Sequence, residues 1–125
     1  MHQKIETLTQ IDAQIASLFE AIDGQRTDAF LARLTEDCRF RFGSAPALTG
    51  RDAIRRSVEG LFGAIHSIKH TLETVWRNET IIIVRGRVRY VFKAGRDVEI
   101  PFCDVLELGS AGQIRNYEIY GELGG

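Results

Sequence analysis

Leu8, Ile11, Ile15, Leu18, Phe19 and Ile22 recur at helical spacing, with Gln10, Asp12, Gln14 and Glu20 off the stripe. The pattern predicts an amphipathic helix from about residue 6 to 23, one face on the core, ended by Gly24. Thr27 then precedes Asp28 and a short apolar run. Its hydroxyl oxygen can accept from free backbone donors, which predicts a second, short helix to about Leu34. Cys38, Phe40 and Phe42 alternate with Arg39 and Arg41, the period of a half-buried strand, and Gly43 to Gly50 reads as a loop from its glycine, proline and serine. From Arg51 to about His66, Ile54, Val58, Leu61, Phe62 and Ile65 restore the helical period. Gly60 and Gly63 weaken that run by up to about 1 kcal/mol each relative to alanine, and would permit close packing against a sheet.

Alternation takes over from there, with strands predicted over about 69–77, 79–92, 97–108 and 113–120. The separators, Arg77-Asn-Glu, Ala94-Gly-Arg and Gly109-Ser-Ala-Gly112, are short and rich in turn formers. Such connections favour an antiparallel meander over parallel crossovers. Helices first and sheet second define an α+β domain.

Residues of one parity share a face of a strand, so parity shows which polar side chains are placed among apolar ones. Ile82, Val84, Gly86, Val88, Tyr90 and Phe92 share one face, and Arg85, Arg87, Arg89 and Lys93 the other, so the even face is the inside. On the next strand Ile100, Phe102, Leu106 and Leu108 mark the inside, and Asp104 shares their face. An unpaired ionised carboxylate there would cost several kcal/mol, so Asp104 either meets a donor or keeps its proton through a raised pKa. The strand before supplies His70, Leu72, Thr74 and Trp76 on one face, which points His70 and Trp76 inward. Imidazole titrates near neutrality, and a carboxylate partner would fix its tautomer. His70 and Asp104 are thus candidates to converge, with Tyr90, Trp76, Asn116, Tyr117 and Tyr120 as further donors. On the last strand Ile114 implies one parity and Tyr117 and Ile119 the other, which predicts a bulge or an edge position.

At 125 residues, 44% hydrophobic and 26% charged, the chain fits a single domain over residues 1–125 with one core. Lys and Arg number 16 against 17 Asp and Glu, a net charge of -1, which provides no field for nucleic acid or an anionic membrane. No stretch approaches the roughly 20 apolar residues of a membrane helix, and no leader precedes the first helix, so a cytoplasmic location is expected. Cys38 and Cys103 match no ligand or redox spacing and read as reduced thiols. One inward histidine, one inward aspartate and no second carboxylate or thiolate at suitable spacing argue against a metal.

The order of elements, with Leu48-Thr-Gly-Arg-Asp-Ala-Ile54, His70 opening the sheet, Ile100-Pro-Phe-Cys-Asp-Val105 and Gly112-Gln-Ile-Arg-Asn-Tyr117, resembles the SnoaL-like branch of the nuclear-transport-factor-two-like superfamily over nearly the whole chain. The resemblance implies a cone-shaped, strongly bent antiparallel sheet packed on three N-terminal helices, also called cystatin-like, around an apolar pocket. It implies chemistry of the kind found in ketosteroid isomerases, polyketide cyclases, epoxide hydrolases and dehydratases. By motif position Asp104 resembles the carboxyl group that ketosteroid isomerases keep protonated as a donor, a worked example of pKa raising by an apolar site. The isomerase's proton-shuttling aspartate falls at or next to Phe42, where nothing acidic faces inward, which speaks against that particular activity.

The expectation is therefore a cofactor-independent isomerase, cyclase or dehydratase acting on a small apolar carbonyl or hydroxyl compound. His70 would move a proton and Asp104 would orient it or donate to a developing oxyanion, with Tyr90, Trp76, Phe42, Phe102 and Tyr117 lining the pocket. The alternative is a non-catalytic ligand-binding or dimerisation module, since folds of this kind carry both. Under either reading the outer sheet face, with Arg85, Arg87 and Arg89, is the expected homodimer surface.

Overall fold

The computed structural model describes residues 4–6 and 13–121. In chain order they form β1 (Lys4–Glu6), α1 (Ala13–Asp23), α2 (Thr27–Leu31), β2 (Leu34–Phe42), β3 (Leu48–Thr49), α3 (Arg51–Ala64), β4 (Ile65–Asn78), β5 (Ile81–Phe92), β6 (Asp97–Leu108) and β7 (Ile114–Tyr120).

The helices follow the apolar stripes, with corrections at their ends. Ile15, Leu18, Phe19 and Ala21 bury the inner face of α1. Glu6, expected to open that helix, lies instead in β1, and Leu8 and Ile11 lie outside the described residues. The left-handed residue after α1 is Gln25, at φ 55°, rather than Gly24. Thr27 does not cap α2 but is its first residue; Arg26 holds the cap position without a side-chain hydrogen bond. That helix ends at Leu31 because Leu34 is already paired with Ile114 in the sheet. The third helix runs into β4 without a loop, so His66 is an exposed strand residue and not a helix terminus. Nothing lies within 4 Å of a Cβ built at Gly60 or Gly63, so neither glycine serves close packing on the sheet.

Seven strands form one sheet in the order β1-β4-β5-β6-β7-β2-β3. The four long C-terminal strands make the expected antiparallel meander. One pair departs from the antiparallel pattern: β2 lies parallel to β7, with Phe40 opposite Tyr117 and Phe42 opposite Ile119. The sheet is therefore mixed, and β2 and β7 join the N-terminal half of the chain to the end of the meander.

The even positions of β5 and β6 face the core: Ile82, Val84, Val88, Tyr90, Phe102, Asp104 and Leu106 are buried. On β4 the parity rule holds only as far as Leu72. The register shifts between Leu72, opposite Gly86, and Thr74, opposite Arg85, so Glu73 is an extra residue on that strand. A β-bulge of this kind exchanges the faces beyond it. Val75 is thereby buried opposite Val84, and Trp76, expected inside, sits opposite Ile83 on the outer face. Gly86 faces this bulge: a Cβ there would lie 1.9 Å from the Thr71 carbonyl oxygen. A further shift, between Glu107 and Leu108 on β6, leaves Arg115 as an extra residue and gives β7 the bulge that its mixed parity predicted.

On the outer face Arg87 donates to Glu99 at 3.0 Å, and the two nitrogens of Arg89 reach Asp97 at 2.9 and 2.6 Å. These arginines thus meet acids of their own neighbouring strand. Cys38 is buried and Cys103 partly so, both as free thiols. No helix among the described residues is long and apolar enough to cross a membrane.

Candidate functional site

Asp104 stands in the middle of β6, opposite Val84 on one side and Ile119 on the other. It is the one buried charged residue among those described, at 2% exposure. The Tyr117 hydroxyl donates to its Oδ2 at 3.1 Å, and Oδ1 is buried without a hydrogen-bond partner. Tyr117 is itself fixed by edge and tilted contacts with Phe30 and Phe40, at centroid distances of 5.9 and 5.4 Å. Burial pushes the Asp104 carboxyl from its ordinary 3.8 up to about 8, against the opposite pull of the Tyr117 hydrogen bond. The group is neutral at pH 7, and with Oδ2 occupied as an acceptor the proton belongs on Oδ1.

His70 does not pair with Asp104. Its partner is Asp23, the last residue of α1, whose two oxygens grip the histidine twice: Oδ2 accepts from the His70 backbone N–H at 3.0 Å, and Oδ1 lies 2.6 Å from Nδ1. A carboxylate only accepts, so Nδ1 carries a proton and Nε2 is left as the basic nitrogen of the neutral ring. Phe19 and Phe102 clamp the imidazole edge-on, each with its centroid 5.0 Å away. Residue patterning did not reveal Asp23 as a member of the site. A signal was present, since an acid at a helix C-terminus faces the negative end of the helix dipole and calls for compensation elsewhere.

His70 and Asp104 nonetheless line one cavity, together with Tyr90, Phe42, Phe102 and Tyr117. Trp76, displaced by the bulge, does not. The cavity has a volume of about 60 Å³. His70 lies in the register row of Val88, and Asp104 in that of Val84. Four residues of β5 separate the rows, about 13 Å of strand at roughly 3.3 Å per residue, so the two groups line the cavity at different depths and do not pair with each other.

Tyr90 also faces the cavity, and burial, with the nearby Asp104 and Asp23 adding to it, pushes its hydroxyl up to about 12. It is a neutral donor throughout the physiological range. Among the described residues no group of three His, Cys, Asp or Glu side chains gathers closely enough to hold a metal ion. The arrangement thus places an acid-held imidazole and a buried carboxyl group on the wall of one cavity.

The family model for the SnoaL-like domain matches residues 15–117. Among solved structures the chain is similar to an NTF2-like protein of unknown function from Burkholderia pseudomallei K96243, at 17% identity over 87% of this chain and 88% of that one, with a TM-score of 0.80. It is similar to a putative SnoaL-like polyketide cyclase from Jannaschia sp. CCS1, at 20% identity over 88% and 83%, TM-score 0.77. It is also similar to a hypothetical protein with a ketosteroid isomerase-like fold from Catenulispora acidiphila DSM 44928 in complex with trimethylamine, at 15% identity over 89% and 86%, TM-score 0.80. No curated protein matches the chain. At such identities the structural likeness establishes the fold and leaves the chemistry to the cavity.

Proposed function

The chain belongs to the SnoaL-like domain family, and from that membership we propose a cofactor-independent enzyme of the isomerase, cyclase or dehydratase kind. Its substrate is a compact apolar molecule bearing a carbonyl or hydroxyl group. The reading is carried by one observation: a carboxylate-held histidine and a buried carboxyl group line the same apolar cavity. His70, oriented by Asp23, takes a proton from carbon next to the carbonyl. Asp104 donates from Oδ1 to the oxygen on which charge develops, and Phe42, Phe102, Tyr90 and Tyr117 exclude water. In a dehydration the same Asp104 proton goes to the departing hydroxyl.

A small ketone tests this directly. Exchange of the α-protons of cyclopentanone in deuterated water, followed by NMR, should exceed the buffer rate with the native protein. His70→Ala should lower the excess by about 100-fold or more, the scale of a lost general base. The rate should also fall as pH rises through about 8, where Asp104 loses its proton. Exchange at the buffer rate, or full activity in His70→Ala, removes the enzymatic reading. The tightness of the cavity is what supports the other reading, a ligand-binding or dimerisation module without catalysis.

The partner proposed for the outer sheet face is a second copy of the chain. Trp76, Ile83 and Val105 form a partly exposed apolar row across β4, β5 and β6, flanked by the Arg87–Glu99 and Arg89–Asp97 pairs. Sedimentation at micromolar concentration should give a dimer, and Trp76→Glu a monomer. A native monomer refutes the assignment. The free thiols fit a reducing compartment, hence the cytoplasm.

A further inference from the structure

The inner cavity shares a wall with a second hollow. The outer one lies between the β2–β3 hairpin and the solvent side of α3. Phe40 and Phe42 belong to both; Pro46 and Leu48 of the hairpin and Ala53 of α3 complete its apolar surface, and Arg56 stands at its side. On the same measure that gives the inner cavity about 60 Å³, this open groove offers about 520 Å³. Phe42, partly exposed, lines both spaces.

The charge in the groove has one sign. Among the described residues Arg56 is the only ionisable side chain lining it, and no acid does. Its neighbour Arg55 is engaged by Asp28 at 2.8 Å and by Glu59 at 3.7 Å. Arg56 is exposed and has no ion pair among the described residues. An apolar trough ending at an uncommitted guanidinium matches a chain or ring ending in a carboxylate, which that fork can bind through two hydrogen bonds.

We propose that the groove is the outer half of one binding site, and that the substrate is an amphipathic carboxylic acid whose apolar, reactive end enters the inner cavity and whose carboxylate meets Arg56. This rests on the reading of the inner cavity as a small-molecule site. It adds a selection rule to it: acids are taken in preference to neutral molecules of the same length.

Octanoate and 1-octanol are the probes, titrated into the full-length protein at low salt with backbone NMR shifts as the readout. Octanoate should bind about threefold or more tightly than 1-octanol, a ratio in the range of one partly exposed ion pair. Arg56→Gln, a change on an exposed helix position, should bring that ratio to about one. Shifts should move both in the groove, at Leu48 and Ala53, and inside, at Val88 and Ile119. Equal affinities in the native protein, or an octanoate preference that survives Arg56→Gln, overturns the proposal. The catalytic reading fails by a different route. An Arg56-dependent preference alongside ketone exchange unaffected by His70→Ala sinks the reaction and keeps the groove, and His70-dependent exchange without any preference does the reverse.

Discussion

Replacing Asp104 by asparagine should make the protein more stable at pH 8 and change little at pH 4.5. The carboxyl group titrates near its ordinary 3.8 in the unfolded chain and near 8 in the folded one. Below about pH 4 both states hold the proton and the group has no linkage effect. Between pH 4 and 8 the unfolded state releases the proton and the native state keeps it, so stability falls as pH rises through this window. Four units of separation correspond to a loss on the order of 5 kcal/mol, reached at about pH 8 and constant above it. Asparagine does not ionise and can accept the Tyr117 hydrogen bond through its carbonyl oxygen, so it escapes this loss. Its amide protons need acceptors, which lowers the expected gain to about 3 kcal/mol at pH 8. Urea midpoints of both proteins at pH 4.5 and 8 measure it. Parallel pH curves would show that Asp104 ionises normally in the folded chain, and would remove the neutral donor from the proposed chemistry. A residue that weakens the fold most under the conditions where it is retained is a mark of a functional site.

Gly86→Ala should act in the opposite direction, by about 4 kcal/mol or more. The added methyl would stand 1.9 Å from the Thr71 oxygen, 3.0 Å from its carbonyl carbon and 3.1 Å from the Glu73 nitrogen. All three are backbone atoms of β4, so no flexible side chain can move aside. The strand must either retreat from β5, losing ladder hydrogen bonds, or expel the bulge. Without the bulge, Val75 would turn outward and Trp76 inward, which replaces a fitted core valine by a side chain far too large. A drop of at least about 10 °C in the thermal midpoint is expected. A change within about 2 °C would mean that the close approach of these two strands does not exist in solution.

These two positions also mark how far the amino-acid pattern could be read. Asp104 was legible because β5 and β6 pair from Ile81–Glu107 to Val91–Asp97 without one register shift, so alternation maps onto faces along their whole length. The fourth strand has two shifts, and past the second one the same rule put Trp76 on the wrong side. A bulge adds one residue to a backbone without leaving a composition signature, and Gly86, its best clue, lies on the neighbouring strand. Asp23 was missed for another reason. Its partner His70 is 47 positions away, a separation that no local periodicity encodes. The inward side of His70, Tyr90 and Phe102 was readable, while the face of Tyr117 and the parallel pairing of β2 with β7 were not, because the last strand mixes two parities and short turns announce only antiparallel neighbours.

That parallel pairing governs the order in which the protein can be built. Arg39 and Asn116, neighbours across it, lie 77 positions apart. The meander closes through short turns as soon as its strands exist, whereas β2, made before all of them, has to wait for β7. Until β7 arrives, the cavity lacks the wall formed by Phe40 and Phe42, and the inner faces of Val88, Tyr90 and Phe102 are open to water on that side. The surface that lines the finished cavity is the one that leaves the nascent chain most open to association with other chains.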